Sequence, residues 1–236
     1  MKHFSIAILL FLAGPTAMAE GMPDGARLHD DRACYSIFSG AWGHGTKLGV
    51  TWQSIAHTHQ DDRNVLDIVV HQKVGHGAFD MRDHFVLDAG SLLPIRLESV
   101  RNGKPHASLE YGNGRVTGWH VRKDGTRQSV DVPLPAPVWD GDLYGPTFAA
   151  LDLKAGAQFA IPFYQYDRGL GQFSLAVTAT ERVKTPEGNV DAWVVHAGPS
   201  PAEMLDYLIA RDSRRELGYR GAMGYQVLGG DCTGPD

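Results

Sequence analysis

Gln172-Phe-Ser-Leu-Ala-Val-Thr-Ala-Thr-Glu-Arg-Val183 decides how this chain is read. Phe173, Leu175, Val177 and Ala179 fall on odd positions, while Gln172, Ser174, Thr178 and Thr180 fall between them. An alternation of two sends these groups to opposite faces of an extended strand, one on a core and one in water. Leu48, Val50 and Trp52 repeat the pattern within Lys47–Trp52. Further candidate strands are 65–73, 79–87, 95–100, 107–111, 115–122, 127–132, 158–164, 190–197, 204–210 and 216–228. Asn102-Gly103 and Asp124-Gly125 suit tight hairpins, and Thr185-Pro-Glu-Gly188 has the residues of a type I turn. Strands joined by short turns predict a mostly antiparallel meander.

One segment interrupts it. Pro133-Leu-Pro-Ala-Pro137 is stiff and extended, and 146–155 reads as a helix, with Pro146 in its first turn and Gly156 after its end. About ten residues do not make a stable helix alone, so this one must dock on the sheet. The expected fold is mostly β: an antiparallel, strongly bent sheet or incomplete barrel with one short helix. No repeat or long linker divides the chain, so a single β-rich domain is expected over 33–232, preceded by an arm over 20–32.

Residues 1–19 read as a signal peptide. Lys2 precedes the apolar run Ser5–Ala13, Gly14-Pro15 breaks it, and Ala17-Met18-Ala19 offers a cleavage site. The run is shorter than the roughly 20 apolar residues of a membrane span, so no integral span is expected after cleavage. Periplasmic localisation follows. In an oxidising compartment two cysteines, Cys34 and Cys232, favour one disulfide, which would set the first and last strands side by side. A net charge of -5 over 236 residues argues against a nucleic-acid partner.

The chain carries 11 histidines. His57 and His59 share a strand face, and a hairpin through Asp61–Asn64 could approach them to His71, as a zinc or copper site would require. Solvent-facing histidines on a half-exposed sheet are the simpler reading, since no HExxH or CxxC accompanies them. No cofactor is expected. Catalytic residues are not expected either: the chain holds no GxSxG, P-loop or GxGxxG. Ser213 has no sequence-local base. Asp140 and Asp142 suit a turn or helix cap better than an acid pair. What remains is an apolar face of Trp52, Phe173, Leu175 and Val177, which either holds a lipid-like or apolar ligand or simply packs as core.

Leu87-Asp-Ala-Gly-Ser-Leu-Leu-Pro-Ile-Arg96, Pro137-Val-Trp-Asp140, Leu153-Lys-Ala-Gly156 and the stretch from Val177 to Trp193 occur in an order that resembles the domain-of-unknown-function family 3108 of secreted Gram-negative proteins. The resemblance implies a periplasmic β-rich domain, similar in architecture to lipoprotein-carrier half-barrels, and brings no catalytic residues. The expected role is therefore an exported, non-enzymatic binding protein for a lipid or other apolar small molecule. An envelope assembly partner and a His-dependent metal protein are the alternatives.

Overall fold

The computed structural model describes residues 21–230 and 232. The expected signal peptide lies outside them. Fifteen strands form one sheet: β1 (Asp31–Ser39), β2 (Thr46–Gln60), β3 (Arg63–Val74), β4 (Phe79–Asp88), β5 (Pro94–Arg101), β6 (Lys104–Gly112), β7 (Arg115–Val121), β8 (Arg127–Pro133), β9 (Trp139–Asp140), β10 (Gln158–Gln165), β11 (Gly169–Thr185), β12 (Gly188–Gly198), β13 (Leu205–Ala210), β14 (Glu216–Arg220) and β15 (Gly224–Leu228). The spatial order is β8-β7-β6-β5-β4-β3-β2-β1-β15-β14-β13-β12-β11-β10-β9. All neighbours are antiparallel except β9 and β10. The sheet bends around a core without closing into a barrel. The first and last of these strands meet at its centre, where β1 pairs with β15. Cys34 and Cys232 form a disulfide across that seam, with Cα atoms 6.0 Å apart.

Turn chemistry fixes the hairpins. Asn102 and Gly103 have φ of 49° and 73°, which the β5–β6 turn requires and an Asn-Gly pair tolerates. The segment expected as one strand over 216–228 is two, because Gly221-Ala-Met223 turns between β14 and β15. The single helix α1 is shorter than expected and begins earlier, at Tyr144–Ala149. It stops because Leu151 and Leu153 turn into the core, at 0% and 3% exposure. Gly156 does not cap it; its N–H donates to the Val177 carbonyl instead. The arm before β1 lies on the domain, with Leu28 in the core and the Asp24 N–H donating to the Ala150 carbonyl.

Register stacks the inner side chains in rungs. Ile55, Ile68, Phe85, Leu97, Leu109, Gly118 and Val130 oppose one another across β2 to β8. One rung along, the residues are Gln53, Val70, Asp83, Ser99, Ala107, His120 and Gln128. The next holds Thr51, Gln72, Met81 and Arg101. The inner face thus passes from an apolar end to a polar end within about two residues per strand. Phe148 of α1 fills the apolar interior, with its ring 5.5 Å from Phe173 and 5.0 Å from Tyr207.

Register shifts interrupt five of the pairings, and two of them redirect core residues. Val177 opposes Val195, but Ala179 opposes Val194, so Thr178 is the extra residue. Beyond it the strand changes faces: Val177 belongs to the main core, and Val183 to a second cluster with Val194 and Leu208. The expected single face through Ala179 therefore ends at Val177. The bulge between β13 and β14 has a larger consequence for the site.

Candidate functional site

Tyr207 opposes Tyr219 and Leu208 opposes Gly218, but Ile209 opposes Glu216. Leu217 is the extra residue. Strict alternation would send Glu216 to the face opposite Tyr219. The bulge instead turns Leu217 into the outer cluster and Glu216 inward, beside Ile209 and Tyr219. Gly218 makes this possible: its φ is 126°, and a Cβ there would overlap the Gln226 carbonyl.

Glu216 lines a cleft of about 240 Å³ at the polar end of the inner face. Thr51, Gln53 and Gln72 form one wall, Asp83 and Arg101 a second, Tyr207, Tyr219 and Gln226 a third, and Asp142 to Pro146 the roof. The residue is 8% exposed. Its carboxyl makes no hydrogen bond or ion pair among the described residues. Burial alone pushes its pKa up to about 7. Gly145 of α1 sits so close that any Cβ there would overlap the carboxylate. Glu216 also lines an adjoining pocket of about 260 Å³, shared through Gln53 and Pro146 and reaching Asp30 and Arg215.

Asp142 is the second acid. Its Oδ1 accepts from Gln165 Nε2 at 2.7 Å, while its Oδ2 is shut off from solvent without a hydrogen-bond partner. Burial raises its pKa, with the Gln165 donor opposing and the Asp83 and Asp167 charges adding to the rise. Asp140 accepts from the Asp142 N–H at 2.8 Å, the turn expected from sequence, and from the Tyr111 hydroxyl at 3.3 Å. Burial, then the Asp142 charge, hold its carboxyl far above the usual carboxylate range. Asp83 differs. It is paired bidentately with Arg101, whose guanidinium also reaches the Tyr166 hydroxyl at 3.3 Å. That ion pair satisfies itself.

The expected apolar face divides. Phe173, Leu175 and Val177 lie together in the core at 1%, 3% and 3% exposure. Trp52 does not join them. It opposes Cys34 and His71 on the outer face, with its ring 5.6 Å from that of His71. Its neighbours Thr51 and Gln53 are the residues that reach the inner cleft. The histidines are likewise kept apart: His57 pairs with Asp30 at 2.7 Å, His59 with Asn64 at 3.2 Å, and His71 with Asp80 at 2.8 Å on the other face. Among the described residues no group of three or more His, Cys, Asp or Glu could hold a metal ion. Ser213 is exposed in the turn after β13. Sequence reasoning missed Glu216, because its inward direction depends on a bulge. It also missed Asp83, although a polar residue two before Phe85 in one strand was a signal available to it.

The sequence motifs shared with a known family are structural in this geometry. Asp88 Oδ1 accepts from the Ser91 N–H and hydroxyl at 2.8 and 2.7 Å, shaping the β4–β5 turn. Trp139 Nε1 donates to the Ser91 carbonyl at 3.1 Å and ties the second motif to the first.

Among solved structures, the chain is similar to a β-barrel-like protein of domain of unknown function DUF1849 from Brucella abortus. Identity is 9%, the match covers 86% of this chain and 97% of that one, and the TM-score is 0.53, which shows a shared fold. A protein described as a "putative lipoprotein" from Parabacteroides distasonis matches at 11% identity over 88% of this chain and 97% of that one, with a TM-score of 0.24, too low to bear on the fold. No curated protein matches the chain. The family model for proteins of unknown function DUF3108 matches residues 34–226, and the chain belongs to that family.

Proposed function

We propose that the chain is an exported, non-enzymatic binding protein of the periplasm whose ligand occupies the inner cleft beside α1. The observation that carries this reading is Glu216: a buried carboxyl with no partner, facing an open cleft. Burying such a group without a hydrogen bond costs stability, and a ligand that completes it recovers that cost. The disulfide supports the exported setting, and no helix among the described residues is long and apolar enough to cross a membrane.

The ligand is small and polar. A lipid-like or apolar one would need the surface of Phe173, Leu175 and Val177, which Phe148 and its neighbours cover. The cleft walls instead set amide, carboxyl and phenol groups beside a few apolar residues such as Val70 and Met81.

Native mass spectrometry of protein purified from the periplasm tests the reading. The expected result is a bound small polar molecule that is absent from Met81→Trp, whose ring would occupy the cleft that Met81 lines. A lipid adduct would restore the apolar reading. A stoichiometric protein with an empty cleft would favour an envelope assembly role, and ligand-free protein throughout would remove the binding role.

A further inference from the structure

The reading of the cleft as a ligand site says nothing of what kind of molecule it takes. Its walls do. Glu216 and Asp142 Oδ2 are both left without partners, whereas the cation among the lining residues, Arg101, is already taken by Asp83 and Tyr166. Glu216 is therefore the group that a ligand completes directly, while Asp142, whose Oδ2 is closed to solvent, adds an acid to the roof. Beside them stand three aromatic rings: Tyr207 lies 5.7 Å from Tyr219 and 6.3 Å from Tyr144. Ring faces attract positive charge, most strongly where water is excluded. An anion would meet two carboxylates with no free cation to offset them.

From this juxtaposition of the unpartnered Glu216 carboxyl and the half-satisfied Asp142 carboxyl with three tyrosines, we infer that the cleft binds a small organic ammonium compound. The inference rests on the binding role proposed above. A metal cation fits less well, since no three-ligand group surrounds the acids. A compact amine suits both the volume of about 240 Å³ and the donor requirement: its N–H groups donate to Glu216, and its charge faces the rings and the acidic roof at Asp142. Gly145 makes room for the acid, because any Cβ there would push the Glu216 carboxylate out of its place beside α1.

The test is calorimetric titration of the mature, disulfide-bonded chain at low salt with 1,4-diaminobutane, with butane-1,4-diol as the neutral probe of the same length. The diamine is expected to bind at least about tenfold more tightly than the diol, a difference of about 1.4 kcal/mol. Glu216→Gln and Asp142→Asn should each weaken the diamine by about tenfold or more, while Trp52→Ala on the outer face leaves it unchanged. Circular dichroism and Tm of each variant show that it is folded. If either acid variant fails to fold, salt dependence and competition by tetramethylammonium on the unaltered chain decide instead: both should weaken diamine binding. Equal binding of diol and diamine, tighter binding of calcium ion than of diamine, or no diamine binding overturns the ammonium inference. The site reading is then judged separately, by whether the native adduct still disappears in Met81→Trp.

Discussion

The two ends of the inner face come from the same strands, in the same register, a rung apart. At one end Ile68, Phe85, Leu97 and Leu109 are 0–1% exposed and form a filled core. At the other, Asp83, Gln72 and Thr51 continue those strands or their neighbours and line a cleft. Sheet geometry does not distinguish the ends, since alternation points both sets inward. What differs is the roof. Phe148 inserts a large ring into the core against Phe173, whereas Gly145 inserts nothing and lets the backbone of α1 rest against the Glu216 carboxylate. One six-residue helix thus plugs the core with one residue and with another leaves room for a buried acid beside a cleft. A half-barrel need not be a lipid container: its content is set by each rung and by what covers it.

The largest expected effect lies at the closed end. Phe148→Ala should cost about 3–5 kcal/mol in chemical denaturation, the range for emptying a buried aromatic site. A loss below about 1 kcal/mol would mean that α1 is not the plug, and the contrast between the ends would fail. Next is the seam joining the two sheet halves. Replacing Cys34 and Cys232 together by Ser should cost about 2–5 kcal/mol, read as a lower Tm that reductant no longer changes.

The open end should respond with the opposite sign. Glu216 has its pKa raised from 4.5 to about 7, so the folded chain holds a proton that the unfolded chain has lost. Its contribution to stability falls as pH rises from near 4.5 to near 7 and is flat above. Glu216→Gln should therefore stabilise the ligand-free chain by about 2–3 kcal/mol at pH 8 and by little at pH 4. Equal melting shifts at both pH values would show that Glu216 is not held neutral by burial. The smallest effect is at Thr51, whose hydroxyl donates to Gln226 Oε1 at 3.0 Å and accepts from Gln72 Nε2 at 3.2 Å. Thr51→Val should cost about 1–2 kcal/mol, because it strands polar groups without opening a cavity.

Most of the sheet was legible in the sequence because its signals are local. Alternation marks the strands, and Asn102-Gly103 or Thr185–Gly188 mark the turns between them. The disulfide was legible from compartment and even count. The cleft was not. Trp52 was read inward because Leu48, Val50 and Trp52 alternate as apolar residues, yet the structure puts the other parity, Thr51 and Gln53, on the inner face. Glu216 was hidden more deeply. Its direction is the sum of an alternation and a bulge, and the bulge depends on pairing with Leu208 and Ile209 and on a positive φ at Gly218. Those are tertiary facts, which no local period encodes. The helix was found but overextended, since the spacing of Phe148, Leu151 and Ala155 is helical while the core takes Leu151 by a different path.

The strand order also imposes a schedule on assembly. The first strand made, β1, has the last, β15, as a neighbour, and 198 residues separate the two cysteines across that seam. A chain emerging from its N-terminus can pair β1 with β2 and zip outward to β8, but the other edge of β1 stays bare until the final strand appears. Contacts so distant in sequence form slowly, and bare strand edges invite pairing with other chains. The centre of the finished sheet is thus the last part to close, and a chain truncated before β15 would expose along β1 the edge that the complete protein hides.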